Sequence, residues 1–194
     1  MKDATTQLKY AFEKVLQSPI EEWQVIADQF HYKKIAPGEH WIKAGDNCRS
    51  LCFILEGLLR VYYIDQSGQE FNQHFYQENE ALAPVSAIVA DEPSQIYVQA
   101  LEPTHLLEAD YQSLCKISTR SPDWLRLEIK LMQEVFIKNA RKEAKLLLGN
   151  AEQRYRWFHR EYPQLCAKLT QYHIASFLGI TPVSLSRLRK KIEL

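Results

Sequence analysis

The sequence predicts an α+β chain in three parts: an all-β unit preceded by short helices, one long uninterrupted helix, and a closing pair of short helices around a tight turn. Three observations carry this. Turn signals recur at strand-length spacing between residues 32 and 108. No Pro or Gly interrupts the apolar-periodic stretch from Asp123 to Leu148. Gln171–Gly179 (QYHIASFLG) and Ile180–Leu194 (ITPVSLSRLRKKIEL) read as two helices with a glycine between them. At 194 residues, 46% apolar and 25% charged, the composition is globular and fits one large domain or two modest ones.

Residues 5–18 form an amphipathic helix with Leu8, Phe12, Val15 and Leu16 on one side, and Pro19 opens a second helix through Trp23, Ile26 and Phe30. Helical periodicity then gives way to short strands punctuated by Pro-Gly, Gly-Asp, Glu-Gly and Ser-Gly turns, the pattern of a barrel or sandwich. Gly57 separates two apolar runs, Asp65–Gly68 reads as a hairpin turn, and alternation returns in Ser94–Leu101 and Thr104–Leu107. Trp41, Tyr62, Phe71, Phe75 and Tyr97 supply aromatic bulk for the interior of this unit, as a packed core or as a pocket lining.

Helix resumes near Tyr111. Ser121-Pro122-Asp123 is a helix start, with Ser121 as cap and Pro122 in the first turn. The long helix carries Leu125, Ile129, Met132, Phe136 and Ala140 on one side and Trp124, Leu127, Leu131 and Val135 on another. Two apolar faces imply two packing partners. The β unit is one; the other is a second copy of the helix in a parallel dimer, or the chain's own second domain. Gly149-Asn150 breaks the helix, Ala151–Glu161 forms another, and Gln164–Leu169 a short one.

In the closing pair, Ala175 is small enough for a close helix crossing, Gly179 tolerates a left-handed turn, Thr181 is an N-cap and Pro182 suits the first helical position. This is the spacing of a helix-turn-helix, which places its second helix in a DNA major groove. The alternative is a two-helix corner with a basic end. Charge favours the former. From Lys145 onward there are nine Lys or Arg against three Asp or Glu, a balance of +6, so residues 1–144 carry −6 of a formal net charge of zero.

No stretch has transmembrane length and the start, MKDATTQLKY, has no signal-peptide core, so a cytoplasmic location is expected. Cys48, Cys52, Cys115 and Cys166 form no CxxC pair and read as reduced, structural thiols; no metal site or cofactor is expected. The chain has no P-loop, HExxH, GxSxG or paired-carboxylate motif, and Glu78, Glu80, Asp91 and Glu92 read as solvated loop residues; no catalytic residue and no enzyme activity is expected.

The order of elements resembles the Crp/Fnr family of bacterial transcription regulators, in particular its short Bacteroidetes-like form. The resemblance covers nearly the whole chain. It is specific in Ile42–Asp46 with Leu51–Val61, in the long helix, and in Ile174–Arg189. It implies an N-terminal β-roll of jelly-roll, cupin-like type resembling a cyclic-nucleotide-binding domain (1–118, with the N-terminal helices), a dimerisation helix (119–148) carrying Leu125, Ile129, Met132 and Phe136, and a helix-turn-helix domain (149–194) lacking a downstream wing. Implied partners are double-stranded DNA, a second copy of the chain, an unknown small-molecule effector and RNA polymerase. Thr181, Ser184 and Ser186 would reach phosphates or base edges, Val183 a thymine methyl, and Arg187 guanine; Arg189, Lys190, Lys168 and Gln171 would touch backbone phosphates. Leu178, Ile180, Leu185 and Leu188 should face inward.

The departures from the family pattern are informative. Family members that bind cyclic AMP use a Gly-Glu pair and a phosphate-binding arginine. Here the glycine position is Asn79, Glu80 matches the glutamate, and the arginine position holds Ser94 followed by Gln95. A cyclic phosphate would lack its guanidinium partner. The usual nucleotide mode is therefore not expected, and any effector is expected near Glu80, Leu82, Ser94 and Gln95. Iron–sulfur sensing would need a thiolate cluster, and no cysteine precedes Cys48; His31, His40, His74 and His105 read as sheet-edge residues rather than haem ligands. The alternative to a DNA-binding regulator is a degenerate family member acting through ligand or protein contacts alone.

Overall fold

A computed structural model describes residues 2–118 and 121–192. In chain order the elements are α1 (Lys2–Leu16), α2 (Trp23–Ala27), β1 (His31–Ile35), β2 (His40–Ile42), β3 (Ser50–Glu56), β4 (Leu58–Ile64), β5 (Glu70–Gln77), β6 (Ala81–Leu82), α3 (Val85–Ala90), β7 (Tyr97–Ala100), β8 (Thr104–Asp110), α4 (Tyr111–Ser118), α5 (Pro122–Leu148), α6 (Ala151–Glu161), α7 (Pro163–Lys168), α8 (Gln171–Leu178) and α9 (Pro182–Lys191). The strands form two four-stranded sheets, ordered β1-β8-β3-β6 and β2-β7-β4-β5. The all-β unit is a two-sheet roll.

Contacts divide the chain into two compact units. One comprises the chain up to Tyr63 with His74–Gln133; the other comprises Ile64–Gln73 with the chain from Glu134 onward. Helix α5 and the β4–β5 hairpin each contribute to both.

In the first unit β3 is buried on both faces, which is why its sequence reads as a continuous apolar run. Cys52 and Ile54 point between the sheets, where they meet Ile42, Leu59, Val61, Val98 and Ala100. Leu51, Phe53 and Leu55 point the other way, onto Leu8 and Phe12 of α1 and Trp124 and Leu127 of α5. Phe12 is the hub of this second cluster, with ring centroids 5.8 Å from Phe53, 6.2 Å from Phe30, 6.4 Å from Trp124 and 6.5 Å from Trp23. Gly57, at φ +111°, joins the two sheets; a Cβ there would lie 2.5 Å from Thr104 Oγ1 and 2.7 Å from the Pro103 carbonyl, so only glycine fits.

Three expectations need correction. The second helix starts at Trp23, not Pro19: buried Ile20 is held in the link, its N–H donating to Glu13 Oε1 at 3.0 Å. Residues 32–108 are not all strand, because Val85–Ala90 coils into α3 behind Pro84 and stops at Asp91, which takes a left-handed φ of 56°. Phe71 is not interior to the roll; it is 40% exposed and belongs to the second unit. Trp41 and Phe75 are buried as expected.

Candidate nucleic-acid interface

The closing helices are built around an aromatic cluster. Phe177 of α8 stacks on Trp157 of α6 at 6.1 Å and meets Phe158 at 5.2 Å and Tyr162 at 5.8 Å. Helices α6, α8 and α9 each start on a capping side chain. Asn150 accepts from Gln153 N–H at 3.0 Å, and the Gln153 side chain returns the bond to Asn150 N–H at 2.9 Å, a capping box. Thr170 Oγ1 accepts from His173 N–H at 3.3 Å, and Thr181 Oγ1 from Ser184 N–H at 3.1 Å. Pro182 occupies the first turn of α9, and Gly179 makes the turn at φ +65°. Ala175 is fully buried at the α8–α9 crossing, with Leu178 and Leu185. Ile180 and Leu188 are only half-buried, so the inward seam is narrower than expected.

Helix α9 exposes Val183, Arg187, Arg189 and Lys190, while Ser184 and Ser186 are half-buried. Thr181 is exposed, but its hydroxyl is engaged with Ser184 Oγ at 2.9 Å. Gln171, in the first turn of α8, and Lys168, at the end of α7, are exposed too. Arg189, Lys190 and Lys191 fall in the last turn of α9, where the helix dipole favours cations. Arg189 lies close enough to Tyr155 and Cys166 for its charge to oppose the upward push of burial on both groups. Lys191 reaches Glu152 at 3.7 Å, and Glu152 also holds Arg156 at 3.1 Å.

Sequence reasoning passed over Arg154. Its guanidinium donates to the carbonyls of Leu146 at 2.6 Å, Gly149 at 2.9 Å and Leu178 at 3.1 Å. One side chain thus caps the end of α5 and the end of α8. The expected Asp65–Gly68 turn joins β4 to β5, and beside it a cleft that the sequence did not signal, of about 400 Å³, is lined by Gln69–Phe71 with Tyr172, Ser176 and Thr181.

The expected effector residues all lie in the first unit. Leu82 packs between the sheets. Glu80 Oε2 accepts from Gln77 N–H at 2.7 Å and closes its own turn. Ser94 is buried; its Oγ donates to the Ile96 carbonyl at 3.1 Å and accepts from Ile96 N–H at 3.2 Å. Gln95 is exposed. Arg49 pairs with Asp91 at the end of α3. The four cysteines are free thiols, and burial pushes that of Cys52 well up. No helix among the described residues is long and apolar enough to cross a membrane.

A two-sheet roll, a long helix and a capped helix-turn-helix with a basic second helix are the architecture of a DNA-binding regulator. Comparison with known proteins agrees. The cyclic nucleotide-binding domain family matches residues 32–121. The chain is 32% identical over 173 residues to the fumarate and nitrate reduction regulatory protein of Vibrio cholerae serotype O1, covering 83% of this chain and 68% of that protein. Identity to the Klebsiella oxytoca counterpart is 27%, over 83% and 68% of the two chains. Among solved structures, a CooA mutant from Carboxydothermus hydrogenoformans superposes with a TM-score of 0.73 at 17% identity, over 92% of this chain and 82% of that one. FixK2 from Bradyrhizobium japonicum gives 0.72 at 16%, over 84% and 83%. The chain belongs to the Crp/Fnr family of DNA-binding transcription regulators.

Proposed function

We propose that this regulator binds DNA as a parallel homodimer joined along α5, with α9 as the reading helix, and that it does not use cyclic AMP in the family's usual mode. The observation that carries the dimer is the split character of α5. Trp124 and Leu127 are fully buried, whereas Leu125 is 47%, Ile129 50% and Phe136 74% exposed. Met132 continues this outward stripe and is half-buried. An apolar stripe of this length suits a second α5, and a two-fold pair of α9 helices matches half-sites about 34 Å apart. In the functional division, residues 1–118 sense, 119–148 dimerise and 149–194 bind DNA.

On the DNA, Arg187 is the base-reading residue, since its guanidinium projects from the exposed face of α9 and can fork onto guanine. Val183 contacts a thymine methyl. Thr181, Ser184 and Ser186 act near the helix start, and Lys168, Gln171, Arg189 and Lys190 meet phosphates. Ser94 stands where a cyclic phosphate would need an arginine, and its hydroxyl is engaged with the Ile96 backbone. Any effector would sit near Glu80, Leu82, Ser94 and Gln95 and be of another chemical class. RNA polymerase is the further partner that a cytoplasmic regulator of this family implies.

The test is sedimentation of the chain alone and with a duplex selected from a randomised pool. Two chains per duplex, and dissociation to monomers in the Ile129→Glu, Phe136→Glu double variant, are expected. A monomer bound to a single half-site would overturn the dimer.

A further inference from the structure

The β4–β5 hairpin is continuous with the roll, yet its tip, Ile64–Gln73, belongs to the same compact unit as the helix-turn-helix. The tip is fastened to α8 by polar contacts of high sequence separation. Ser176 Oγ donates to the Glu70 carbonyl at 2.8 Å and accepts from Asn72 N–H at 2.9 Å. Asn72 Nδ2 donates to the His173 carbonyl at 3.1 Å. The third member comes from α5. Lys142, buried to 8% exposure, donates through Nζ to the carbonyls of Asn72 at 3.0 Å and Gln73 at 2.6 Å. The same nitrogen lies 3.8 Å from the centre of the Phe177 ring.

A buried lysine is costly, and its usual partner is a carboxylate. This one instead spans three elements: the hairpin through two carbonyls, α8 through a ring face, and α5 through its own backbone. We infer that Lys142 is a positioning residue for DNA binding, a clamp that holds the β4–β5 hairpin tip against α8 and so fixes the helix that α9 leans on. The inference rests on the DNA-binding reading of the helix-turn-helix and adds to it a residue that fixes the helix-turn-helix within its own compact unit.

Burial alone pushes Lys142 down to about 7 from an ordinary 10.5. The other titratable or charged side chains on the packed elements include Arg60, Tyr62, Tyr63, Asp65, Glu70, His74 and Tyr76 on the hairpin, Tyr172 and His173 on α8, and Lys138, Arg141, Glu143 and Lys145 beside it on α5. When the clamp opens, the lysine meets water and regains its proton. Between pH 7 and 10.5 the open form therefore holds more protons than the closed one, and closure strengthens as pH rises, by up to about tenfold per unit. Below pH about 7 both forms are protonated and the dependence vanishes.

The test is hydrogen exchange of the full-length protein alongside DNA affinity for the selected duplex, in wild type, Lys142→Met and Ser176→Ala. Ser176→Ala removes the second fastening while leaving the lysine in place, and it decides the matter if Lys142→Met fails to fold. Expected are faster exchange at Asn72 and its neighbours in both variants, and DNA binding weakened about tenfold. Opening should also depend on pH above 7, after correction for intrinsic rates, in wild type and not in Lys142→Met. Unchanged exchange, or faster exchange with unchanged DNA affinity, would overturn the clamp. Failure of the wild type to bind any duplex would instead sink the DNA-binding reading, and the exchange data would still decide whether the hairpin is clamped.

Discussion

Replacing Arg154 with Met removes three hydrogen bonds and keeps most of the side chain's apolar stem. The guanidinium donates to the carbonyls of Leu146 and Gly149, where α5 ends, and to that of Leu178, where α8 turns into Gly179. A hydrogen bond involving a charged group is worth about 1.5–3 kcal/mol net. Three would total far more than the loss to be expected, because Arg154 is half-buried and water can reach carbonyls that it abandons. A loss of about 3 kcal/mol is the reasonable figure, which is about a hundredfold in the opening equilibrium of the helix-turn-helix unit. Arg154→Lys, with one charged donor group instead of a fork, should fall between wild type and Met. The assay is amide exchange at Ile180 and Leu185, whose N–H groups bond to the Ala175 and Thr181 carbonyls across the turn and into α9. Urea unfolding provides the global comparison. A loss below about 1 kcal/mol, or one spread evenly over the roll and the closing helices, would refute the idea that one guanidinium ties the two helix ends together.

Thr181→Ala removes the cap of α9 and should cost about 1 kcal/mol, read by urea unfolding, with DNA binding weakened in proportion to the fraying of the first turn; Thr181→Ser should restore both. Titration calorimetry with cyclic AMP should give no heat, because Ser94 offers no guanidinium and its hydroxyl is already paired with Ile96; micromolar binding would contradict that account.

The helix-turn-helix was legible because its signals are local. Gly179 at positive φ, the Thr181 cap and Pro182 in the first turn each follow from one residue's own chemistry. The two faces of α5 were legible too, since periodicity separates Trp124 and Leu127 from Leu125 and Ile129 whatever covers either face. The roll was harder. β3 is buried on both sides and shows no alternation, and α3 hid inside a strand-rich stretch as a helix too short to show a period. Phe71 was misplaced because hydrophobicity says that a ring is buried somewhere, not in which unit. Arg154 and Lys142 carried no signal. Both work through backbone carbonyls brought near by the fold, and a carbonyl looks the same in every residue. For Lys142 the usual expectation, a solvated cation on a helix surface, was the opposite of what the fold does with it.

In the proposed mode α9 reads DNA sequence through Arg187. Fluorescence anisotropy on the selected duplex and on a scrambled one, across a salt series, with wild type beside Arg187→Ala, tests it most directly. Selective binding that weakens steeply with salt is expected, and a variant that loses discrimination worth about 1–3 kcal/mol while keeping most of the salt slope. Equal affinity for both duplexes, indifferent to Arg187, would contradict it.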